Sequence, residues 1–227
     1  REHLTTAKRI VLVGLSGVGK SRVGREVASG LGWSMIDVDD EIERAFGTTI
    51  PEIFRDHGEA EFRARERAIL LDALTRDRAV IATGGGAVID PAVWSADVLG
   101  HPENLVVALD ARPEQSFERL VAQQVAEGER VERPLLAGDD PLARLSAMKQ
   151  ARQEHYDAAD ITIVTDGAEP AGVANEIIWL LRQSTPRIEP TIQLRVQQGE
   201  SAIYIGTGQS TITSDLIRHH WPRAQRV

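Results

Sequence analysis

Arg9-Ile10-Val11-Leu12-Val13-Gly14-Leu15-Ser16-Gly17-Val18-Gly19-Lys20-Ser21 is the stretch on which the fold turns. Ile10 to Val13 are apolar without a break, the mark of a short strand buried on both faces in a parallel sheet. Gly14 to Ser21 then fit G-x-x-x-x-G-K-[ST] at every fixed position, and Val23 and Val27 put the following residues on one face of a helix. Strand, glycine-rich turn and helix in that order make a loop whose bare backbone N–H groups curl around phosphate oxygens. The helix start adds partial positive charge, the lysine reaches the β- and γ-phosphates, and the Ser21 hydroxyl faces a divalent cation. The motif predicts a nucleoside triphosphate site.

The same rhythm continues to residue 184. Ala79-Val80-Ile81-Ala82, Leu105 to Leu109 and Ile161-Thr162-Ile163-Val164 read as further buried strands, and Met35-Ile36 as the end of a short one. Helical patterns cover Ser21 to Ser29 ending at Gly30, Glu59 to Leu74, Pro113 to Glu127, Pro141 to Ala158 and Glu169 to Leu181. Strands spaced by helices predict an α/β domain, a parallel sheet with helices on both faces. Pro186 and Pro190 follow the last helical pattern and precede alternating residues, which predicts a boundary. Residues 1–184 form one domain on this reading, 185–190 a linker and 191–227 a separate segment.

Composition narrows the function classes. Of 227 residues, 42% are apolar and 26% charged, a globular balance that excludes collagenous and fully disordered chains. Apolar runs stop at four or five residues, against ~20 for a bilayer span, so no membrane partner is expected. The absence of cysteine excludes disulfides and thiolate sites, and the amino end lacks the apolar core of a signal peptide, so a cytoplasmic location is expected. The chain opens at Arg1 without an initiator methionine, which reads as a piece cut from something longer. Thirty-four acidic against 26 basic side chains give −8, and a polyanion such as nucleic acid is not the expected partner. Residues 185–227 hold five Arg against three acidic residues, +2, which leaves −10 on residues 1–184. The six histidines show no metal-ligand spacing.

A second polar cluster is Asp37-Val38-Asp39-Asp40-Glu41-Ile42-Glu43. Carboxyl ends of parallel strands share one edge with the phosphate loop, so Asp37 and Asp39 are placed to face a bound cation or an acceptor hydroxyl. At strand spacing the two point the same way, with Asp40 as the helix cap; a solvated acidic helix start is the alternative. Glu59 to Arg67 carries charges on every side, the pattern of a solvated helix. Gly84-Gly85-Gly86 either offers bare N–H groups to a ligand or turns the chain. Arg130 to Gly138 lies where a mobile lid sits in a nucleotide kinase, or is an exposed loop.

The glycine loop, the Asp37 to Glu43 cluster, Ile50-Pro51-Glu52-Ile53-Phe54, Gly58-Glu59-Ala60-Glu61-Phe62-Arg63, Gly84-Gly85-Gly86-Ala87-Val88 and Arg133-Pro134-Leu135-Leu136-Ala137-Gly138 together resemble shikimate kinase. Their order and approximate spacing match that family over about residues 8–182. The resemblance implies a nucleoside-monophosphate-kinase-like P-loop fold, monomeric, and ATP-dependent phosphorylation of the 3-hydroxyl of shikimate on the way to chorismate. It implies Gly17, Val18, Gly19, Lys20, Ser21 and Arg22 on the nucleotide phosphates, with Ser21 and Asp37 serving Mg²⁺. Asp39 would orient or deprotonate the acceptor hydroxyl. Arg63 and Arg152 would hold the substrate carboxylate, Glu66 would orient Arg63, and Gly85 and Gly86 would approach the ring hydroxyls. Arg133 becomes the lid arginine that screens the transferring group. Arg119 would flank the adenine, with Asp166 to Pro170 across the slot.

Two departures stand out: the stretch from Arg119 to Arg133 is longer than the family pattern, and Gln153-Glu154-His155 replaces the usual Ala-Pro-Leu. A nucleotide-dependent switch would use the same loop, but a guanine-specific one usually carries N-K-x-D, which neither Asn104 nor Asn175 begins. A gluconate kinase is the nearest enzymatic rival, against which Phe62-Arg63 and the triple glycine argue. In the tail, Ile192 to Val196 and Ala202 to Gly208 alternate around a turn at Gly199-Glu200-Ser201 and predict a β-hairpin. It resembles the opening hairpin of 3-dehydroquinate synthase, which implies a fusion whose synthase part dimerises; an independent extension packed on the kinase is the alternative.

Overall fold

Continuous apolar runs with no polar face can only be satisfied in the middle of a layered sheet, and that is where they lie. The computed structural model describes residues 7–127 and 139–182, together with the backbone of 192–196 and 199–203. The chain divides into a unit spanning His3–Gln183 and a second that contains Ser184–Val227.

In the first unit the elements run β1 (Arg9–Val13), α1 (Lys20–Leu31), β2 (Ser34–Asp37), α2 (Val38–Phe46), α3 (Ile50–Ala73), β3 (Ala79–Ala82), a 3₁₀ turn (Pro91–Trp94), β4 (Asn104–Asp110), α4 (Pro113–Glu127), α5 (Pro141–Asp157), β5 (Ile161–Val164) and α6 (Pro170–Arg182). The five strands form one parallel sheet in the order β2-β3-β1-β4-β5. Val11 of the central strand sits between Ile81 and Val106, and all three are buried. Helix α1 packs on α6 and on β3, so the amphipathic faces foreseen for both helices close over the sheet. At the amino edge the buried Arg9 is matched by Asn104 at 2.6 Å and Glu103 at 2.9 Å, as a buried cation requires.

Three boundaries differ from the sequence reading. Gly30 lies inside α1 rather than ending it: an added Cβ there would stand 2.6 Å from Ile178 Cδ1, so the glycine serves close packing against α6, and Gly32 at φ 64° is the cap. Asp40 is not the cap of α2. The carboxylate of Asp37 accepts from the Asp39 backbone N–H at 3.2 Å, and Asp39 and Asp40 both lie in the first helical turn. A helix cap uses the residue just before the first helical one, and that residue is the last of β2. Helix α3 begins at Ile50, where Glu52 accepts from the Thr49 backbone N–H at 3.1 Å in a capping box, nine residues before the expected start at Glu59. The expected start survives as a kink at Gly58.

In the second unit β6 (Ile192–Val196) and β7 (Gly199–Ile203) pair antiparallel, as the hairpin expectation required. Arg195 stands opposite Glu200 and Val196 opposite Gly199, so Gly199 to Ser201 belong to the second strand rather than to a turn. The proposed linker 185–190 lies outside the described residues.

The kink aims the second half of α3. Gly58 has φ 80° and ψ 169°, a region open essentially to glycine, with nothing within 4 Å of an added Cβ. Gly58→Ala is expected to lose about 1–3 kcal/mol of stability from backbone conformation alone. A urea titration with unchanged slope checks it.

Candidate active site

Among the described residues, the glycine loop, the Asp37 cluster, the Arg63 segment and the triple glycine gather at the carboxyl edge of the parallel sheet, where such folds bind ligands. The glycine loop leaves the central strand. Gly17 adopts φ 85°, and an added Cβ would meet Ser116 O at 2.5 Å, so the loop needs glycine both for its turn and for its seat on α4. Gly19 caps α1 at φ 102°, leaving the first backbone N–H groups of the helix aimed at the loop's hollow. Lys20 is buried, and its Nζ donates to Gly14 O at 2.8 Å and Leu15 O at 3.0 Å. Burial lowers its pKa, while the charges of Asp39 and Asp37 act against that and favour the ammonium form.

The β2–β3 half carries the second cluster. The turn after β3 is anchored by Thr83, whose hydroxyl donates to Leu12 O at 3.1 Å. Around the glycines no side chain fits: an added Cβ at Gly84 would collide with Glu66 Oε1 and come within 2.8 Å of Asp39 Oδ1, and one at Gly86 would stand 2.8 Å from both terminal nitrogens of Arg63. Arg63 Nη1 donates to Glu66 Oε2 at 2.6 Å and Nη2 to Glu59 Oε1 at 3.3 Å, with the guanidinium 5.1 Å from the Phe62 ring centroid. Glu66, 3% exposed, has its carboxyl raised by burial, partly countered by Arg63. Helix α5 closes this half: Arg152 Nη1 and the Tyr156 hydroxyl both donate to Gly85 O, at 2.9 and 3.0 Å.

The β4–β5 half forms a cleft of about 270 Å³ beside Val18 and Gly19, lined also by Arg22, Gln115, Arg119 and the segment from Gly167 to Pro170. Arg119 donates to Val18 O at 3.2 Å, to Thr165 Oγ1 at 2.9 Å and to Thr165 O at 2.5 Å. The carboxylate of Asp166 accepts from the Arg112 backbone N–H at 3.1 Å. Of the residues expected across a slot from one another, Arg119 and Gly167 to Pro170 line this cleft, and Asp166 is not among its lining residues.

The structure thus brings together Lys20, Asp37, Asp39, Arg63, Glu66, Gly85, Gly86 and Arg152 on one side of the loop and Arg22 and Arg119 on the other, with Ser21 next to Lys20 in the first turn of α1. Arg133 lies outside the described residues. Asp37 and Asp39 reach the site by different routes from the one expected: Asp37 ends the strand and caps the helix, whereas Asp39 projects from the helix itself. Among the described residues no group of three or more His, Asp or Glu side chains could hold a metal by itself. No helix among them is long and apolar enough to cross a membrane. Sequence reading passed over Tyr156 as a ligand of the glycine turn, and over Thr165. The latter was findable, since it is the residue directly after β5 at the edge where every other strand delivers a functional group.

The family model described as Shikimate kinase matches residues 16–182. A shikimate kinase of Halorhodospira halophila is 42% identical over 181 residues, covering 79% of this chain and 97% of that one. One from Synechococcus is 39% identical over 176 residues, covering 78% and 83%. Among solved structures, shikimate kinase from Acinetobacter baumannii in complex with shikimate superposes with a TM-score of 0.69 at 35% identity, covering 78% of this chain and 94% of that one. The Aquifex aeolicus enzyme gives 0.61 at 31% identity, covering 76% and 95%.

Asp39 provides a stability signature for the site. Burial, aided by Asp37, Glu66 and Glu43 and opposed by Lys20, pushes its carboxyl up to about 6 from 3.8. The native state then holds a proton that the unfolded chain has released between about pH 4 and 6, so this group's contribution to stability falls as pH rises through that window. Asp39→Asn, neutral throughout, is expected to be about 1–3 kcal/mol more stable than the parent at pH 8 and about equal to it at pH 4. Urea titrations in metal-free buffer at the two pH values measure the difference.

Proposed function

The chain belongs to the shikimate kinase family and is an ATP-dependent kinase, and on that premise we propose that it transfers the γ-phosphoryl group of ATP to the 3-hydroxyl of shikimate, giving shikimate 3-phosphate and ADP. The observation that carries this reading is the gathering of Asp39, the Arg63–Glu66 pair, Arg152 and the bare Gly84–Gly86 turn around Lys20. A small rigid polyol acid needs cations for its carboxylate and a carboxylate for its hydroxyls, and these groups supply both.

In the proposed reaction the acceptor oxygen attacks the γ-phosphorus, the bond from that phosphorus to the β–γ bridging oxygen breaks, the oxygen leaves on ADP with the electron pair, and the hydroxyl proton passes to Asp39. A carboxyl held near 6 is basic enough to take that proton and still ionised at neutral pH. Lys20 exchanges its loop carbonyls for the β- and γ-phosphate oxygens, and the backbone N–H groups of Gly17, Val18 and Gly19 complete the cradle. Arg63 and Arg152 hold the carboxylate, and Gly85 and Gly86 let ring hydroxyls approach main chain. Arg22 and Arg119 flank the nucleotide, and Arg133 screens the transferring group. The Ser21 hydroxyl and the Asp37 carboxylate are hard oxygen donors of the kind that hold Mg²⁺ together with phosphates. Bound there, Mg²⁺ supplies charge neutralisation along the triphosphate.

We also propose that residues 191–227 begin a 3-dehydroquinate synthase domain fused to the kinase. Two facts support it: the family match stops at residue 182, and the tail forms an antiparallel hairpin.

The kinase reading predicts ADP release from ATP and Mg²⁺ that depends on shikimate and not on gluconate, with a product heavier by one phosphate. ATP binding without shikimate-dependent turnover in a folded chain sinks it. Asp39→Asn is expected to cut turnover about 10²- to 10⁴-fold while ATP binding holds within about threefold, the scale of a lost general base. For the tail, the natural polypeptide should have the mass of two joined enzymes on intact-mass analysis of cell extract. A product near 24.9 kDa rules out the fusion.

A further inference from the structure

Thr165 lies directly after β5 with 2% of its surface exposed, so its hydroxyl has to find partners inside the protein. It finds them in three separate elements. The hydroxyl oxygen lies 3.1 Å from Val18 O in the phosphate loop and 3.2 Å from Asp110 O at the end of β4, and it accepts from Arg119 Nη1 of α4 at 2.9 Å. Its backbone N–H donates to Asp110 O at 2.7 Å, which fixes the residue itself. Its carbonyl takes Arg119 Nη2 at 2.5 Å, and Arg119 Nη1 also reaches Val18 O at 3.2 Å.

The guanidinium is thus held at both terminal nitrogens, and because it is planar, two such anchors set the orientation of the whole group. The partners named are a hydroxyl and two carbonyls, none of them a carboxylate, so the arginine's charge remains for a ligand in the cleft. That cleft is the one lined by Gly19, Gln115, Arg119 and Glu169.

We propose that Thr165 is a positioning residue for the nucleotide: its hydroxyl and carbonyl hold the Arg119 guanidinium in the cleft and tie it to the Val18 carbonyl of the phosphate loop. The hydroxyl is suited to this because it accepts from the cation while donating its own proton to a carbonyl. Valine of the same shape can do neither, and serine can do both. The inference rests on reading the cleft as the ATP site.

The test is titration of the full chain with the fluorescent analogue mant-ATP, with thermal melting to confirm folding. Thr165→Val is expected to bind about 10-fold more weakly, the scale of one lost charge-assisted hydrogen bond. Thr165→Ser restores binding to within about twofold, and the KM for shikimate stays unchanged in both. Adding Thr165→Val to Arg119→Ala costs less than about threefold further, since the residue acts through that arginine. Should Thr165→Val not fold, Thr165→Ala takes its place in the series. Binding by the valine variant within twofold of the parent overturns the proposal. So does serine as weak as valine, equal losses for ATP and shikimate, or full multiplication of the two single losses. A parent chain that fails to bind mant-ATP overturns it as well. Tight mant-ATP binding without shikimate turnover removes only the acceptor assignment and leaves this comparison standing.

Discussion

A lysine ammonium withdrawn from water at the end of the central strand is the constraint around which this protein is arranged. Desolvation works against the charge of Lys20, and the carbonyls of Gly14 and Leu15 with the carboxylates of Asp37 and Asp39 work for it. None of these groups can act unless β1 and β2 end at the same edge. β3, which pairs with both strands, sets their register: Val11 and Ile36 each stand opposite Ile81. The buried strands thus serve the site directly, by delivering oxygen atoms to a cation that would otherwise lose its proton or stay in solvent.

The strand order splits the work on either side of that lysine. Asp39, the Arg63–Glu66 pair and the glycine turn lie on the β2–β3 side and the Arg119 cleft on the β4–β5 side, with the phosphate loop on β1 between them. The two halves meet again at Asp110. Its carboxylate holds Lys149 at 2.8 Å, which pins α5, the helix that carries Arg152 and Tyr156, while its carbonyl accepts from Thr165 beside the Arg119 cleft. One strand end therefore supports both halves of the sheet edge.

Charge beside the glycine turn is nearly matched within the protein. Arg63 is paired with both the buried Glu66 and the exposed Glu59, whereas Arg152 rests on a neutral carbonyl of the glycine turn. Burial raising the carboxyl of Glu66 keeps that pairing dependent on Arg63. The bare turn matters for the same reason: an added Cβ would press on Arg63, Glu66 or Asp39 and undo their placement.

Signals that act over a few residues were legible in the chain itself. The run from Arg9 to Ser21 specifies strand, phosphate loop and helix through period and glycine alone, and the clusters at Asp37, Arg63 and Gly84 carry enough local character to identify the family. Local reading misplaced Asp40 as the cap and Gly30 as a helix end, because capping depends on where a strand stops and that glycine answers to Ile178 on another helix. The contacts that make a site out of these pieces span the chain: Arg119 meets Thr165 across 46 residues and Arg152 meets Gly85 across 67. Hydrogen bonds of that kind leave no periodicity and no motif behind, since what creates them is strand order, and only the folded sheet decides which strand ends become neighbours.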